Sequence, residues 1–126
     1  MANRVVEFRL FRLHHGRREE FAARFKSQLL PLHQRVGIDV VTWGPSLHDL
    51  DSFYVVRAHP SVETRQEAMD AMFGSDEWLM NQEEEVLGMI ESYNTCVIEA
   101  CEPLIEAMRT GVMKGIEQDV TPPGWR

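Results

Sequence analysis

The chain has 126 residues, of which 44% are hydrophobic, and a formal net charge of -7 at pH 7. A chain of this length is expected to form one domain with a sizeable core, and it has no apolar run of about 18 residues that would cross a membrane. Twenty acidic residues against thirteen basic ones disfavour nucleic acid and anionic lipid as partners, because phosphates repel a negatively charged surface. We therefore expect a soluble protein that binds neither nucleic acid nor membrane.

The start of the chain and its cysteines indicate a reducing compartment. Residues 1–5 lead directly into a strand pattern, without the apolar stretch of a signal peptide. The two cysteines, Cys96 and Cys101, are too few for a disulfide framework. We expect a cytoplasmic protein in which Cys96 is a small core residue that points toward the helices.

The first half of the chain has a strand, a helix and two further strands. Residues 5–13 alternate as a strand does, with Val6, Phe8 and Leu10 on one face and Glu7, Arg9 and Phe11 on the other. Residues 17–36 show helical spacing, with an apolar stripe of Phe21, Phe25, Leu29, Leu32 and Val36. Pro31 cannot donate a backbone hydrogen bond, so the helix should kink or loosen near Leu30. Residues 38–43 and 52–58 have strand patterns.

The second half of the chain has a divided helix, a strand and an extension. Ser61 is the predicted N-cap of a helix that buries Val62, Met69, Met72 and Phe73. Gly74 interrupts the pattern, and Ser75 caps a second part of the helix. The apolar stripe of this part buries Leu79, Val86, Leu87 and Ile90, and Glu83 falls near it. Residues 93–100 are the predicted fourth strand. We expect residues 1–102 to form the domain and residues 103–126 to be a C-terminal helical extension and tail.

This β-α-β-β-α-β order, with the second helix split, is the ferredoxin-like pattern of α+β proteins. Right-handed connections place the first strand between the third and the fourth. We expect Val6, Phe8 and Leu10 to pack against the helices. The opposite face then carries Glu7, Arg9, Phe11, Arg57, Thr95, Val97 and Glu99. Because that face is half polar and two sheet edges stay unpaired, we expect two copies to pair as an obligate homodimer.

Three segments of the chain resemble the NIPSNAP family. They are Phe-Gly-Ser-Asp-Glu-Trp at residues 73–78, the strand at residues 6–11 with Glu7 and Arg9 on one face, and Arg-Ala-His-Pro-Ser at residues 57–61. The resemblance spans residues 5–99 and implies a dimeric α+β barrel, in which two subunits close their sheets around one lumen. That lumen is the usual ligand cavity of the superfamily, and Trp78 would be a structural wedge between helix and sheet.

The predicted lumen supplies the candidate ligand-binding residues, which are Glu7, Arg9, Phe11, Trp43, Arg57, Thr95 and Glu99. The carboxylates and guanidiniums among them would form either a structural network of ion pairs or a site where a guanidinium binds an anionic or carbonyl oxygen. A carboxylate in an apolar cavity can also act as a general acid or base. Both interpretations stay open at the level of sequence.

The histidines indicate no metal site. His14 and His15 are adjacent at a strand end and point to opposite faces, and no zinc-binding spacing occurs in the chain. We expect His59 in a solvated loop, and His33 and His48 to face solvent. Phosphate-binding loops and nucleophile elbows are likewise missing from the sequence. We expect neither a metal nor a cofactor.

Three functions remain open. The first is a NIPSNAP-like protein of unassigned activity that binds a small organic molecule, bearing a carboxylate or carbonyl group, in the barrel lumen. The second is a cofactor-independent monooxygenase or isomerase, as the resemblance implies for some members of the superfamily. The third is a non-catalytic dimeric adaptor or sensor module. An enclosed pocket of about 300 Å³ or more in the lumen favours a ligand, and a packed lumen favours the structural interpretation.

Overall fold

A computed structural model describes residues 3–111 of the chain. Within this part the strands are β1 (Arg4–Leu13), β2 (Asp39–Pro45), β3 (Ser52–His59) and β4 (Ile90–Ala100). The helices are α1 (Arg18–Arg24), α2 (Leu30–Arg35), α3 (Val62–Phe73), α4 (Asp76–Asn81), α5 (Glu83–Met89) and α6 (Glu102–Thr110), and a π-helical turn, Phe25–Leu29, joins α1 to α2. The predicted α+β class and the βαββαβ order are confirmed, with the second helix divided into three parts rather than two.

The first helical segment widens just before Pro31. In the π-helical turn, the backbone N–H of Leu30 donates to the carbonyl of Phe25, five residues earlier. Pro31 has no N–H to continue the α-helical pattern, which accounts for the widening at this point. The predicted loosening near Leu30 is therefore confirmed. Both Phe25 and Leu29 of the turn are buried.

The described strands form one antiparallel sheet in the order β2-β3-β1-β4. This order confirms that the first strand lies between the third and the fourth. Glu7 of β1 lies opposite Arg57 of β3, and Arg9 lies opposite Thr95 of β4. Residues directly opposite each other in an antiparallel pair point to the same face. The register therefore brings Glu7 and Arg57 together although 50 residues separate them.

The helices cover the other face of the sheet from the one that we expected. Phe11 and Leu13 of β1 pack with Phe53 and Val55 of β3 against the helices. The helical side of this core consists of Phe21, Phe25, Leu29, Leu32, Met69, Met72, Trp78, Val86 and Met89. The alternation along β1 is as predicted, but the prediction that Val6, Phe8 and Leu10 face α1 to α5 is wrong. Phe11 packs there with Leu13, Phe53 and Val55, which form the sheet side of the core beneath these helices.

The second face of the sheet is covered in part by α6. Ile105 of this helix is fully buried and packs with Val6, Val41, Val56, Ala58 and Ala100. Ion pairs hold the helix at both ends, since Arg4 binds Glu102 and Asp39, and Arg109 also binds Asp39. Residues 112–126 of the predicted extension lie outside the described part of the chain. Cys96 lies opposite Phe8 and is exposed, so its predicted position toward the helices is wrong.

Both predicted N-caps are confirmed. The Ser61 hydroxyl accepts a hydrogen bond from the backbone N–H of Thr64 at 3.1 Å, and the Thr64 hydroxyl accepts one from the Ser61 N–H at 2.9 Å. Ser75 accepts from the N–H of Trp78 at 3.2 Å. The predicted burial of Val62, Leu79 and Leu87 is wrong, because these three side chains are 57%, 49% and 54% exposed. The breaks between α3, α4 and α5 reset the rotation of each short helix, so one stripe does not run through all three.

Candidate functional site

A cluster of charged side chains surrounds Glu7 between the sheet and the helices. Oε1 of the fully buried Glu7 lies 3.2 Å from Nη1 of Arg57. Oε2 of Glu7 lies 2.9 Å from Nη2 of Arg9 and 2.9 Å from Nη2 of Arg65. Arg57 belongs to β3 and Arg65 to α3, so the cluster joins the sheet to a helix. Among the described residues, one carboxylate thus faces three guanidinium groups, and the cluster has an excess of positive charge.

Burial and neighbouring charges determine the protonation states of Glu7 and Arg57. Burial by itself would raise the pKa of Glu7, but the neighbouring His59, Arg57 and Arg65 outweigh it and hold this pKa well below its ordinary value. Burial lowers the pKa of Arg57 to about 10, although Glu7 opposes this change. At neutral pH, therefore, Glu7 is ionised and Arg57 is protonated.

His33 of α2 belongs to the same cluster. Its Nδ1 donates a hydrogen bond to the carbonyl of Leu29 at 2.6 Å, and its Nε2 accepts one from Nε of Arg57 at 3.0 Å. Arginine can only donate, which fixes the proton on Nδ1. Burial lowers the pKa of His33 to about 4, so the ring is neutral at physiological pH. The prediction that His33 faces solvent is wrong.

In the described part of the chain, His59 and two arginines carry buried polar atoms without a hydrogen-bond partner. His59, predicted in a solvated loop, is buried at the end of β3, with its Nε2 at 3.7 Å from Oε1 of Glu7, beyond hydrogen-bonding distance. Within residues 3–111, no hydrogen-bond partner is present for this atom, for Nε of Arg9 or for Nε of Arg65. Leaving a buried donor unpaired costs about 1–3 kcal/mol. The cluster is therefore short of acceptors.

A cavity of about 300 Å³ lies beside the cluster, between the sheet and the helices. Its basic wall is formed by Arg9 and Arg57 with His33 next to them, and Glu83 of α5 lines another part. Aromatic side chains supply much of the remaining wall, namely Phe11, Phe21, Phe25, Phe73, Trp78 and Tyr93. The guanidinium carbon of Arg9 lies 4.7 Å from the centre of the Tyr93 ring, a favourable cation–π distance. The cavity is at the small end of the range for ligand sites.

The structure brings four of the seven predicted candidates together. Arg9, Phe11 and Arg57 line the cavity, and Glu7 lies next to it with hydrogen bonds to both arginines. These residues face the helices, so the cavity that they line is inside a single chain. The predicted placement of this site in a lumen between two subunits rested on the wrong face of β1.

The other three candidates lie away from the cavity wall. The Trp43 ring packs against Phe25 at 5.1 Å between centroids, one layer behind the wall. Thr95 and Glu99 are exposed on the outer strand β4, where Glu99 accepts a hydrogen bond from Asn3. The expected convergence of two carboxylates with two guanidiniums thus includes Glu7 but not Glu99.

Four histidine or charged residues of the cluster and cavity are not among the predicted candidates. His33 follows Leu29 by four residues, which places it on the buried stripe, and His59 follows Arg57 by two, which places it on the same strand face. Glu83 falls near the apolar stripe of its helix. Arg65 gives no such signal, because its direction depends on how α3 rotates over the sheet.

Two further observations bear on the class of site. Within residues 3–111, no group of three or more His, Cys, Asp or Glu side chains is arranged to hold a metal ion. In the same part of the chain, the helices are too short or too polar to cross a membrane.

Trp78 is buried edge-on against Phe73, with ring centroids 4.8 Å apart, and also contributes to the cavity wall.

Residues 6–102 match the model of the NIPSNAP family. A NIPSNAP family protein from Agrobacterium tumefaciens str. C58 has a similar fold, with a TM-score of 0.73 and 14% identity over 81% of this chain and 90% of that chain. An uncharacterized NIPSNAP-like domain protein from Burkholderia xenovorans has a TM-score of 0.72 and 14% identity over 78% of this chain and 85% of that chain. A second protein from A. tumefaciens, a NIPSNAP family protein with unknown function, has a TM-score of 0.72 and 16% identity over 80% of this chain and 92% of that chain.

Identities this low establish the shared fold and nothing about a shared ligand. No curated protein matches the sequence. The family match covers most of the chain, including β1 to β4 and the helices between them. It confirms the resemblance that residues 6–11, 57–61 and 73–78 indicate. The chain belongs to the NIPSNAP family.

Proposed function

We propose that this protein binds a small organic molecule, bearing a carboxylate or carbonyl oxygen, in the cavity between the sheet and the helices. The oxygen contacts Arg9 and Arg57, and the apolar body of the molecule lies among the aromatic side chains. One observation carries the proposal. Nε of Arg9 is buried without an acceptor among residues 3–111, although the Arg9 side chain lines the cavity. A ligand oxygen at this wall would give the Arg9 guanidinium a further acceptor.

The charge balance of the cluster supports the same conclusion. Burying a charge is costly unless it is paired, and the described part of the cluster has Glu7 as the single anion for three guanidiniums. Arg57 is fixed in direction by its bonds to His33 and Glu7. A preorganised guanidinium in a dry site binds an oxyanion strongly, because the hydrogen bonds are charge-assisted. A second anion at the cavity wall would therefore stabilise the cluster.

The geometry supports binding more directly than catalysis. A general base needs a free acceptor of suitable pKa within reach of the substrate. Nε2 of His33 already accepts from Arg57, and Glu7 is held ionised by guanidiniums that make it a weak base. A cofactor-independent monooxygenase or isomerase would need such a base. His33 and Glu7 do not supply it in this arrangement, and Glu83, on another part of the wall, is the remaining carboxylate of the described lining.

We also propose that two copies of the chain pair through the face of the sheet that α1 to α5 leave open. Leu10 on this face is 52% exposed and Ile98 is 38% exposed, next to the half-buried Phe8. Monomeric proteins seldom expose contiguous apolar surface of this kind. Pairing would also protect β4, which is an edge strand. These features support a homodimer in which each subunit keeps its own cavity.

A thermal-shift screen of carboxylates tests the ligand proposal, with Arg9→Met as the variant and Arg12→Met as the matched control. Arg12 belongs to the same strand, but its side chain is 55% exposed and binds Glu91. A ligand at 100 times its Kd adds about 2.7 kcal/mol to the free energy of unfolding. We expect hits that stabilise the wild type and Arg12→Met but not Arg9→Met. Equal shifts for all three proteins would place the site elsewhere.

A further inference from the structure

We infer that Glu83 determines the specificity of this cavity, and that it selects aromatic monocarboxylates with a hydrogen-bond donor, such as a hydroxyl or amino group, at the far end of the ring. The inference rests on the proposed function, because it concerns the other end of the same ligand. It assigns a role to a residue that the anion-binding argument does not use.

Glu83 stands apart from the basic wall of the cavity. It begins α5, whereas Arg9 and Arg57 belong to the sheet. Among the described residues that line the cavity, it is the one acidic side chain. It is half-buried, yet within residues 3–111 it takes part in no ion pair and no side-chain hydrogen bond. Its carboxylate is therefore more than 4.0 Å from both cavity guanidiniums.

The position of Glu83 at a helix start does not by itself explain this arrangement. Acidic residues are favoured in the first turn of a helix by the helix dipole, and Glu84 and Glu85 satisfy that preference equally well. Both of these neighbours are exposed and neither lines the cavity. Of the three, Glu83 alone lines the cavity, and the inference therefore concerns this residue.

The cavity thus has a cationic wall on the sheet and a carboxylate on the helix side. In this proposal the carboxylate of the ligand binds Arg9 and Arg57, and its other end lies near Glu83 of α5. A second carboxylate there would meet Glu83, and like charges at close range repel each other. A hydroxyl or an ammonium group would instead donate a hydrogen bond to Glu83. The aromatic wall between the two ends, which includes Phe25 and Trp78, suits a flat ring.

Isothermal titration with three related probes tests the inference. The probes are 3-phenylpropionate, 3-(4-hydroxyphenyl)propionate and 3-(4-carboxyphenyl)propionate, which differ only at the far end of the ring. We expect the wild type to bind the hydroxylated probe about tenfold more tightly than the dianion, which is about 1.4 kcal/mol. Glu83→Gln keeps the size and removes the charge, so this ratio should fall to about threefold or less. Glu84→Gln makes the same charge change on an exposed position and should keep the wild-type ratio.

The outcomes separate this inference from the function on which it rests. If the monoanions bind with a dependence on Arg9 but Glu83→Gln keeps the wild-type ratio, the role of Glu83 is refuted and the proposed function stands. An equal change in Glu84→Gln would assign the effect to overall charge and would also refute it. Tight binding of the dianion to the wild type refutes it without any variant. No binding of any probe at millimolar concentration refutes both proposals.

Discussion

Glu7→Gln is the most direct test of the buried charge cluster. The substitution keeps the volume of the side chain and removes the single carboxylate that faces Arg9, Arg57 and Arg65. Three guanidiniums would then lie between the sheet and the helices without an anion among the described residues. Removing one partner of a buried ion pair costs about 3–5 kcal/mol, because the remaining charge stays desolvated. We expect a loss of this size in the free energy of unfolding at pH 7.

Urea unfolding followed by circular dichroism measures this loss, with Glu99→Gln as the control. Glu99 is an exposed carboxylate on β4, and its substitution should change the stability by less than about 0.5 kcal/mol. The slope of the unfolding free energy against urea should be equal in all three proteins, since the surface exposed on unfolding is unchanged. A loss below about 1 kcal/mol for Glu7→Gln would show that the guanidiniums are solvated, and would refute the description of the cluster.

The same variant gives a pH dependence of known sign. The pKa of Glu7 is lower in the folded than in the unfolded chain, so the unfolded state binds a proton first as the pH falls. The stability that Glu7 contributes is complete above the ordinary pKa of glutamate, about 4.3, and decreases as the pH falls below that value. The difference between wild type and Glu7→Gln should therefore be constant from about pH 6 to 8 and decrease in acid. A difference that grows in acid would contradict the assignment.

Two further predictions concern the core and the assembly. Phe25→Ala should lower the free energy of unfolding by about 3–5 kcal/mol, because Phe25 is 1% exposed and a large buried side chain leaves a cavity, whereas Lys26→Ala on the exposed side should have little effect. A loss below about 1 kcal/mol would show that the π-helical turn does not face the sheet. Leu10→Lys should shift the protein from dimer to monomer in sedimentation experiments, while Leu79→Lys on α4, which is 49% exposed, should not. A monomeric wild type at micromolar concentration would exclude the dimer.

Local signals in the sequence predict most of the fold. Ser61 and Ser75 mark the helix starts correctly because N-capping involves residues only three apart. Pro31 marks the widened turn because its missing N–H acts within the same helix. The order of the strands follows from the order of the elements and from handedness. Each of these features depends on neighbours in the chain or on rules that hold for all chains.

The features that the sequence does not predict depend on distant partners. A period of two shows that Glu7 and Phe11 share a strand face, but it does not show which face the helices cover. That choice depends on Phe53, which lies opposite Phe11 only once β1 and β3 are in register. The candidate site likewise depends on residues that are distant in the sequence. Glu7 and Arg57 come together through the register, and Arg65 joins them through the rotation of α3, which no local pattern encodes.

The hydrogen bonds around Arg57 have a mechanical consequence. An unbroken path runs from the carbonyl of Leu29 through His33, Arg57 and Glu7 to Arg65. It links β1, the π-helical turn with the adjoining α2, β3 and α3. A molecule that binds Arg57 would therefore stabilise the contact between the sheet and the helices. We expect it to slow amide hydrogen exchange in the π-helical turn and in α3 together. If the proposed ligand binds Arg57, the same few atoms determine both its affinity and the contact between the sheet and the helices.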